Sequence, residues 1–397
     1  MQVLGTDATI DDQDDRVLGE EASVLEAAQQ ATGLAGWGSD QTFRIGLRKK
    51  IEDMLRMAPP QREALRQTLI GTLAIRLQVI EDGRREPAIL SETIEQPLFI
   101  FGLPRSGTTY MHGLLALDPA ARSPLVWESM HPSPPPVAST FATDPRIEQT
   151  REELKAIDAM APGFLEKHPM EPQDPTECEA FTTYHFNTIA IWASFPLPRY
   201  AAWIRSGASD GLFEWHRRML QQYQWKGPRG RWTLKSPNHI FTLPALLDVY
   251  PDARLVQTHR DPLQTLPSNA SLVHTMRAGM DPDASPHATG RDVFEMMADG
   301  IDLTMKARSD PSVDERILDI AYADTVKDPI GTVRRIHAHF RLPVSDAHLR
   351  NIEARIAEDA RNRTTTHKYS LEEFGMSAED ITSRFREYRK RFAAFIG

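Results

Sequence analysis

The stretch Pro97–Pro119, PLFIFGLPRSGTTYMHGLLALDP, decides the fold. It opens on a short apolar run, LFIFG, of the kind a strand buried on both faces of a parallel sheet requires. It closes on TTYMHGLLALD, which reads as a helix. Between them Gly102-Leu103-Pro104-Arg105-Ser106-Gly107-Thr108-Thr109 keeps the glycine spacing of a Walker A loop, G-x-x-x-x-G-K-[ST], but Thr108 stands where the lysine belongs. A glycine loop that opens a helix is an anion cradle, because its unpaired backbone N–H groups and the helix dipole point the same way. Without the lysine a triphosphate is poorly held. Arg105 offers a planar guanidinium fork instead, and Thr108 and Thr109 offer hydroxyls, a set suited to a smaller phosphate-ester anion without a metal.

The same strand-to-helix grammar recurs downstream. RWTLK, ending at Lys235, leads through Ser236-Pro237 into NHIFTLPALLDVY; ARLVQTHR, ending at Arg260, leads through Asp261-Pro262 into LQTLPSNASLVH. A further strand ends near Tyr322, and the helix after it starts at Asp328-Pro329. A capping side chain followed by proline at the first helical position is a helix start. Alternating strands and helices predict an α/β fold, a P-loop-like, mainly parallel sheet flanked by helices, whose ligands bind beyond the carboxyl ends of the strands. At that edge Arg260 and Ser268, eight residues on, can face one anion, and Lys235 is a further cation beside the loop. Two anion-binding points flanking a lysine suggest a nucleotide with phosphates on both its 5′ and 3′ sides.

Outside this unit, residues 1–90 read as an N-terminal helical extension, from apolar residues returning every three or four positions, and 91–397 as the α/β domain. Within it, residues 127–225 break the grammar with proline-rich loops and helical stretches, a substrate-covering insert. The 397 residues, 41% hydrophobic and 25% charged, describe an ordinary globular chain, and a formal net charge of −9 argues against nucleic-acid partners. The single cysteine, Cys178, excludes a disulfide framework and is expected to be a small half-buried residue. No signal peptide and no apolar run long enough for a membrane span is readable, so a cytoplasmic setting is expected. His185, His239 and His259 read as structural, no pair of them has zinc-ligand spacing, and no metal is expected.

PRSGTT, LKSP and HRDP…S, in this order and at these separations, resemble the nucleotide-dependent sulfotransferases, in particular the bacterial branch related to tyrosylprotein sulfotransferases. The resemblance runs from about Glu95 to Ile396. It implies transfer of the sulfuryl group from 3′-phosphoadenosine 5′-phosphosulfate (PAPS) to an acceptor hydroxyl or amine, without a metal. It also implies roles: the loop Arg105, Ser106, Gly107, Thr108 and Thr109 on the 5′-phosphosulfate, Arg260 and Ser268 on the 3′-phosphate, Tyr322 near the nucleotide, and Lys235 at the bridge between sulfate and phosphate. His168 and Glu128 are the candidate bases, with His168 preferred because a neutral imidazole accepts a hydroxyl proton near pH 7. The Arg-Lys-Gly closure of the cytosolic members is absent; Arg363, His367 and Lys368 stand in its place.

The aromatic, methionine- and proline-rich insert suits a hydrophobic small-molecule acceptor, and the acidic run MEPQDPTECE speaks against a protein tyrosine. The N-terminal helices could dimerise or cap the core. Two competing readings remain. A kinase or NTPase with a degenerate loop lacks its lysine, and a non-catalytic nucleotide-binding protein has no physical need of Arg105, Lys235 and Arg260 together.

Overall fold

The computed structural model describes residues 10–361 and 369–396. At its centre are five strands: β1 (Leu98–Gly102), β2 (Ala121–Arg122), β3 (Arg231–Lys235), β4 (Arg254–His259) and β5 (Ile317–Ala321). They lie in the order β2-β3-β1-β4-β5, and every pairing is parallel. The register sets Ile100 beside Lys235 on one side and Val256 on the other, and Gly102 beside Thr258. The glycine loop, Lys235 and Arg260 therefore emerge at one edge, with β1, the central strand, between the other two.

The alternation of side chains along β1 explains why both faces are covered. Leu98 and Ile100 join Val256 and Ile320 against Met111, Leu114 and Leu115 of the helix Thr108–Ala116 and Val333 and Ile336 of the helix Pro329–His339. Phe99 and Phe101 point the other way, into a larger cluster with Leu234, Leu255 and Trp215. That cluster continues without a break into the N-terminal helices Ile10–Thr32, Phe43–Met54 and Pro59–Arg85, through residues such as Val24, Phe43 and Leu69. The boundary expected near residue 90 thus falls inside one continuous core.

Two of the expected helix starts are built as the sequence implies. Asp261 Oδ1 accepts from Leu263 N at 3.0 Å, and Asp328 Oδ1 accepts from Gly331 N at 2.8 Å. At Ser236-Pro237 the helix starts later, at His239, because Ser236 Oγ accepts from Asn238 N at 3.0 Å and closes a turn first. Near the C-terminus the chain forms three short helices, Ala378–Arg384, Arg386–Arg391 and Ala393–Ile396. They dock Tyr388 and Phe392 on His259, whose Nδ1 meets Tyr388 Oη at 2.9 Å. No helix among the described residues is long and apolar enough to cross a membrane.

Asp261 caps the helix that carries Ser268 and also pairs with Arg389 at 2.9 Å. Asp261→Ala should lower stability by about 1–2 kcal/mol. The expected readout is an earlier urea midpoint at unchanged slope; an unchanged midpoint would mean that the cap contributes nothing.

Candidate active site

Gly107 turns the chain from loop into helix with φ 89°, a left-handed conformation open to glycine. A Cβ there would also lie 2.4 Å from the Tyr322 ring, so the tyrosine is seated on the bare backbone of the cradle. Arg105 too has positive φ, 68°, which a side-chain-bearing residue adopts at a cost of order 1–3 kcal/mol and which is concentrated at functional sites. That turn aims its guanidinium across the cavity: Nε donates to Ser268 Oγ at 3.1 Å and a terminal nitrogen donates to Lys167 O at 3.0 Å. Arg260 donates to Arg105 O at 3.2 Å and lies over the Tyr322 ring at 4.5 Å. The structure thus brings Arg105, Gly107, Arg260, Ser268 and Tyr322 into one constellation.

Ser106 is a correction. Its hydroxyl donates to Leu103 O at 2.6 Å and meets Thr258 Oγ1 at 2.8 Å, and its own N–H donates to Leu103 O. Fully buried, it pins the loop to β4 and offers nothing to a ligand. Thr108 and Thr109 do line the cavity. Lys235 reaches its wall through Thr109 Oγ1, at 3.1 Å, and through an ion pair with Glu177.

The cavity is about 400 Å³. Its lining includes the polar groups Arg105, Thr108, Thr109, His168, Glu177 and Arg260 and the apolar side chains Phe164, Met170, Ile189, Trp192, Val273 and Met276. Residues of the insert supply much of that lining. His168 arrives at the end of the short helix Phe164–Lys167, which Lys167 fastens to the Ser268 helix by donating to Thr275 Oγ1 at 2.6 Å. Burial pushes the His168 imidazole below its usual range, with the Lys235 and Arg105 charges adding to that and Glu177 opposing it. It is therefore unprotonated at neutral pH.

Glu128 is the second correction. It is fully buried and does not line the cavity. Both of its carboxylate oxygens accept from Arg122, at 2.7 and 2.6 Å, while burial holds the carboxyl above its ordinary range. A base must touch the proton it takes, so Glu128 is a packing ion pair. His185 and His239 are buried away from the cavity, with burial pushing each down to about 3, and His259 is held by Tyr388 and Asp319. Cys178 is fully buried rather than half-buried. Arg363, His367 and Lys368 lie outside the described residues.

Sequence reasoning missed two acids. Glu177 and Glu179 belong to the acidic run weighed above only against a protein tyrosine acceptor, yet both line the cavity. Burial pushes the Glu177 carboxyl up, but Lys235 and His168 beside it more than offset this and hold it below the ordinary carboxylate range. Glu179 is pushed the other way, up to about 8, by burial and by the Glu177 charge. It accepts from Thr188 Oγ1 at 3.2 Å and Ser236 Oγ at 3.3 Å. At neutral pH the first acid is ionised and the second protonated.

Residues 97–346 match the sulfotransferase family. The chain belongs to that family. The crystal structure of sulfotransferase STF9 from Mycobacterium avium superposes with a TM-score of 0.84 at 31% identity, covering 94% of this chain and 96% of that one. Sulfotransferase STF1 from Mycobacterium tuberculosis H37Rv gives 0.79 at 28% identity, over 96% and 99%. A curated relative from Mycobacterium bovis, omega-hydroxy-beta-dihydromenaquinone-9 sulfotransferase Stf3, is 28% identical over 314 residues, 75% of each chain. The family implies PAPS as co-substrate, and the residues present fit it. Gly107 leaves a bare cradle beneath Tyr322, and Arg105, Arg260 and Ser268 converge beside it.

In this sulfotransferase the raised Glu179 carboxyl makes stability depend on pH. Between its unfolded value near 4.5 and about 8 the folded state holds a proton that the unfolded state has lost, so stability falls as pH rises through that window and levels above it. Glu179→Gln should flatten this limb, which wild type shows with a slope of up to about 1.4 kcal/mol per pH unit. Urea unfolding of both proteins across the window decides it; parallel curves would mean that Glu179 is ionised in the native state.

Proposed function

We propose that this sulfotransferase moves the sulfuryl group of PAPS to a hydroxyl of a hydrophobic, lipid-like small molecule. The observation that supports this best is a single cavity whose lining combines Arg105, Arg260, His168 and Glu177 with apolar residues of the insert, Phe164, Met170, Ile189 and Trp192 among them. The curated relative is named for an omega-hydroxy menaquinone, an acceptor of the same class. The buried single cysteine, Cys178, suits a reducing compartment, and the setting we infer is the cytoplasm.

In this reading Arg105, Arg260 and Ser268 hold the nucleotide's phosphates, Thr108 and Thr109 add hydroxyl contacts at the cradle, and Tyr322 borders the nucleotide. Lys235 exchanges Glu177 for the bridging oxygen and stabilises the charge that develops there. His168 accepts the acceptor's hydroxyl proton, and the Glu177 carboxylate stabilises the imidazolium that forms. As the acceptor oxygen bonds to sulfur, the sulfur–oxygen bond to phosphate breaks and adenosine 3′,5′-bisphosphate leaves. No divalent ion takes part in this step.

Calorimetric titration with adenosine 3′,5′-bisphosphate, AMP and magnesium-ATP tests the nucleotide site. Bisphosphate should bind most tightly, and Arg260→Ala should weaken it by at least about tenfold, the value of one lost charge-assisted contact. Preference for magnesium-ATP would overturn the reading.

Transfer from labelled PAPS to a series of long-chain and prenyl alcohols tests the chemistry. On the best acceptor, His168→Ala should lower kcat/KM by at least about a hundredfold. Because its carboxylate supports the protonated imidazole, Glu177→Gln should lower the rate and move the acid limb of the pH profile downward. A His168→Ala enzyme that keeps its rate while Glu177→Gln is inactive would make Glu177 the base.

A further inference from the structure

At the far end of the cradle helix, Asp118, His337 and His348 come together in the interior. One ligand atom from each lies within 4.8 Å of the other two, and all three residues are buried. They reach this point from separate elements: the turn after the helix Thr108–Ala116, the helix Pro329–His339, and the helix Asp346–Arg361.

Their hydrogen bonds fix which ring nitrogens carry the protons. His348 Nε2 is 2.9 Å from Leu114 O, and His337 Nδ1 is 2.9 Å from Pro343 O. A carbonyl oxygen only accepts, so each of these nitrogens carries the ring proton. In these tautomers the lone pairs sit on His348 Nδ1 and His337 Nε2. His348 Nδ1 is buried and has no hydrogen-bond partner among the described residues. The Asp118 carboxylate is oriented by Ala120 N at 3.0 Å and Arg231 at 2.7 Å, and has further lone pairs to give. Imidazoles whose second nitrogen donates to a backbone carbonyl, together with a carboxylate held by outer partners, are how proteins present ligands to a metal.

We propose that Asp118, His337 and His348 form a structural site for a divalent transition ion, with zinc the best match to a set of two imidazoles and a carboxylate. Zinc with ligands at about 2.0–2.1 Å keeps them roughly 3.3 Å apart, so no separation has to close by more than about 1.5 Å, within reach of side-chain rotation. A solvent molecule completes the tetrahedron. The ion ties the C-terminal helices to the base of the helix whose other end is the phosphate cradle, roughly 14 Å away at 1.5 Å per residue. It takes no part in sulfuryl transfer.

The test uses full-length protein, stripped with chelator and then dialysed against zinc or cobalt(II). Metal analysis should return about one equivalent of zinc, and cobalt should give the visible absorption of a tetrahedral site. Zinc should raise the melting temperature of the stripped protein. Asp118→Asn, close to isosteric, and His348→Gln should each weaken zinc binding at least about tenfold and abolish the thermal shift. Failure of the stripped wild-type protein to take up zinc overturns the proposal whatever the variants do; so does equal uptake by wild type and Asp118→Asn.

Discussion

Lys235 and Glu177 form the contact on which the geometry of the cavity depends, because it joins the sheet to its cover through an ion pair. The Lys235 side chain is only 2% exposed, and a buried ammonium without a counter-charge is strongly unfavourable. β3 presents it at the carboxyl edge, and the insert supplies the carboxylate. Two more contacts lock the same register: Cys178 N donates to Lys235 O at 2.8 Å, and Ser236 Oγ donates to Glu179 Oε1 at 3.3 Å. Residues 177–179 are thereby laid along 235–236, and the apolar wall that follows, with Ile189 and Trp192, is placed over the phosphate cradle.

The part of this arrangement that rests on local rules was legible in the sequence. Strand, glycine loop and helix at Leu98–Ala116 announce themselves by composition, and Asp261-Pro262 and Asp328-Pro329 mark helix starts because capping is a local matter. Arg105, Lys235, Arg260 and Tyr322 could be placed at one edge because a parallel sheet aligns its strand ends. Side-chain direction could not be read. Ser106 stands in the loop motif, yet its hydroxyl turns inward to Thr258, and nothing in the motif separates the two orientations.

Long-range pairing was equally hidden. Glu128 and Glu177 are both acids in the insert, and the choice between them depends on which one meets Lys235 and which one meets Arg122. Those contacts are made by the fold of a segment without repeating pattern. β2, two residues long, has no periodicity to detect, and its pairing with β3 follows only from closure of the chain. The buried Asp118, His337 and His348 share the same difficulty, since more than two hundred residues separate the first ligand from the others.

The two acids facing the cavity explain how binding and chemistry can be coupled. Glu177 is ionised because Lys235 sits on it, and Glu179, two residues on, is protonated in part because Glu177 is already charged. Both states therefore depend on where the Lys235 ammonium resides. In the function proposed above, the anionic co-substrate draws Lys235 toward its phosphate, and Glu177 then loses the counter-charge that kept its proton affinity low. The carboxylate then favours a proton nearby more strongly, and the imidazole of His168 is next to it. On the proposed reading the site becomes a better base only once the donor is in place, because the lysine assigned there to the leaving group is the one that holds down the proton affinity of Glu177.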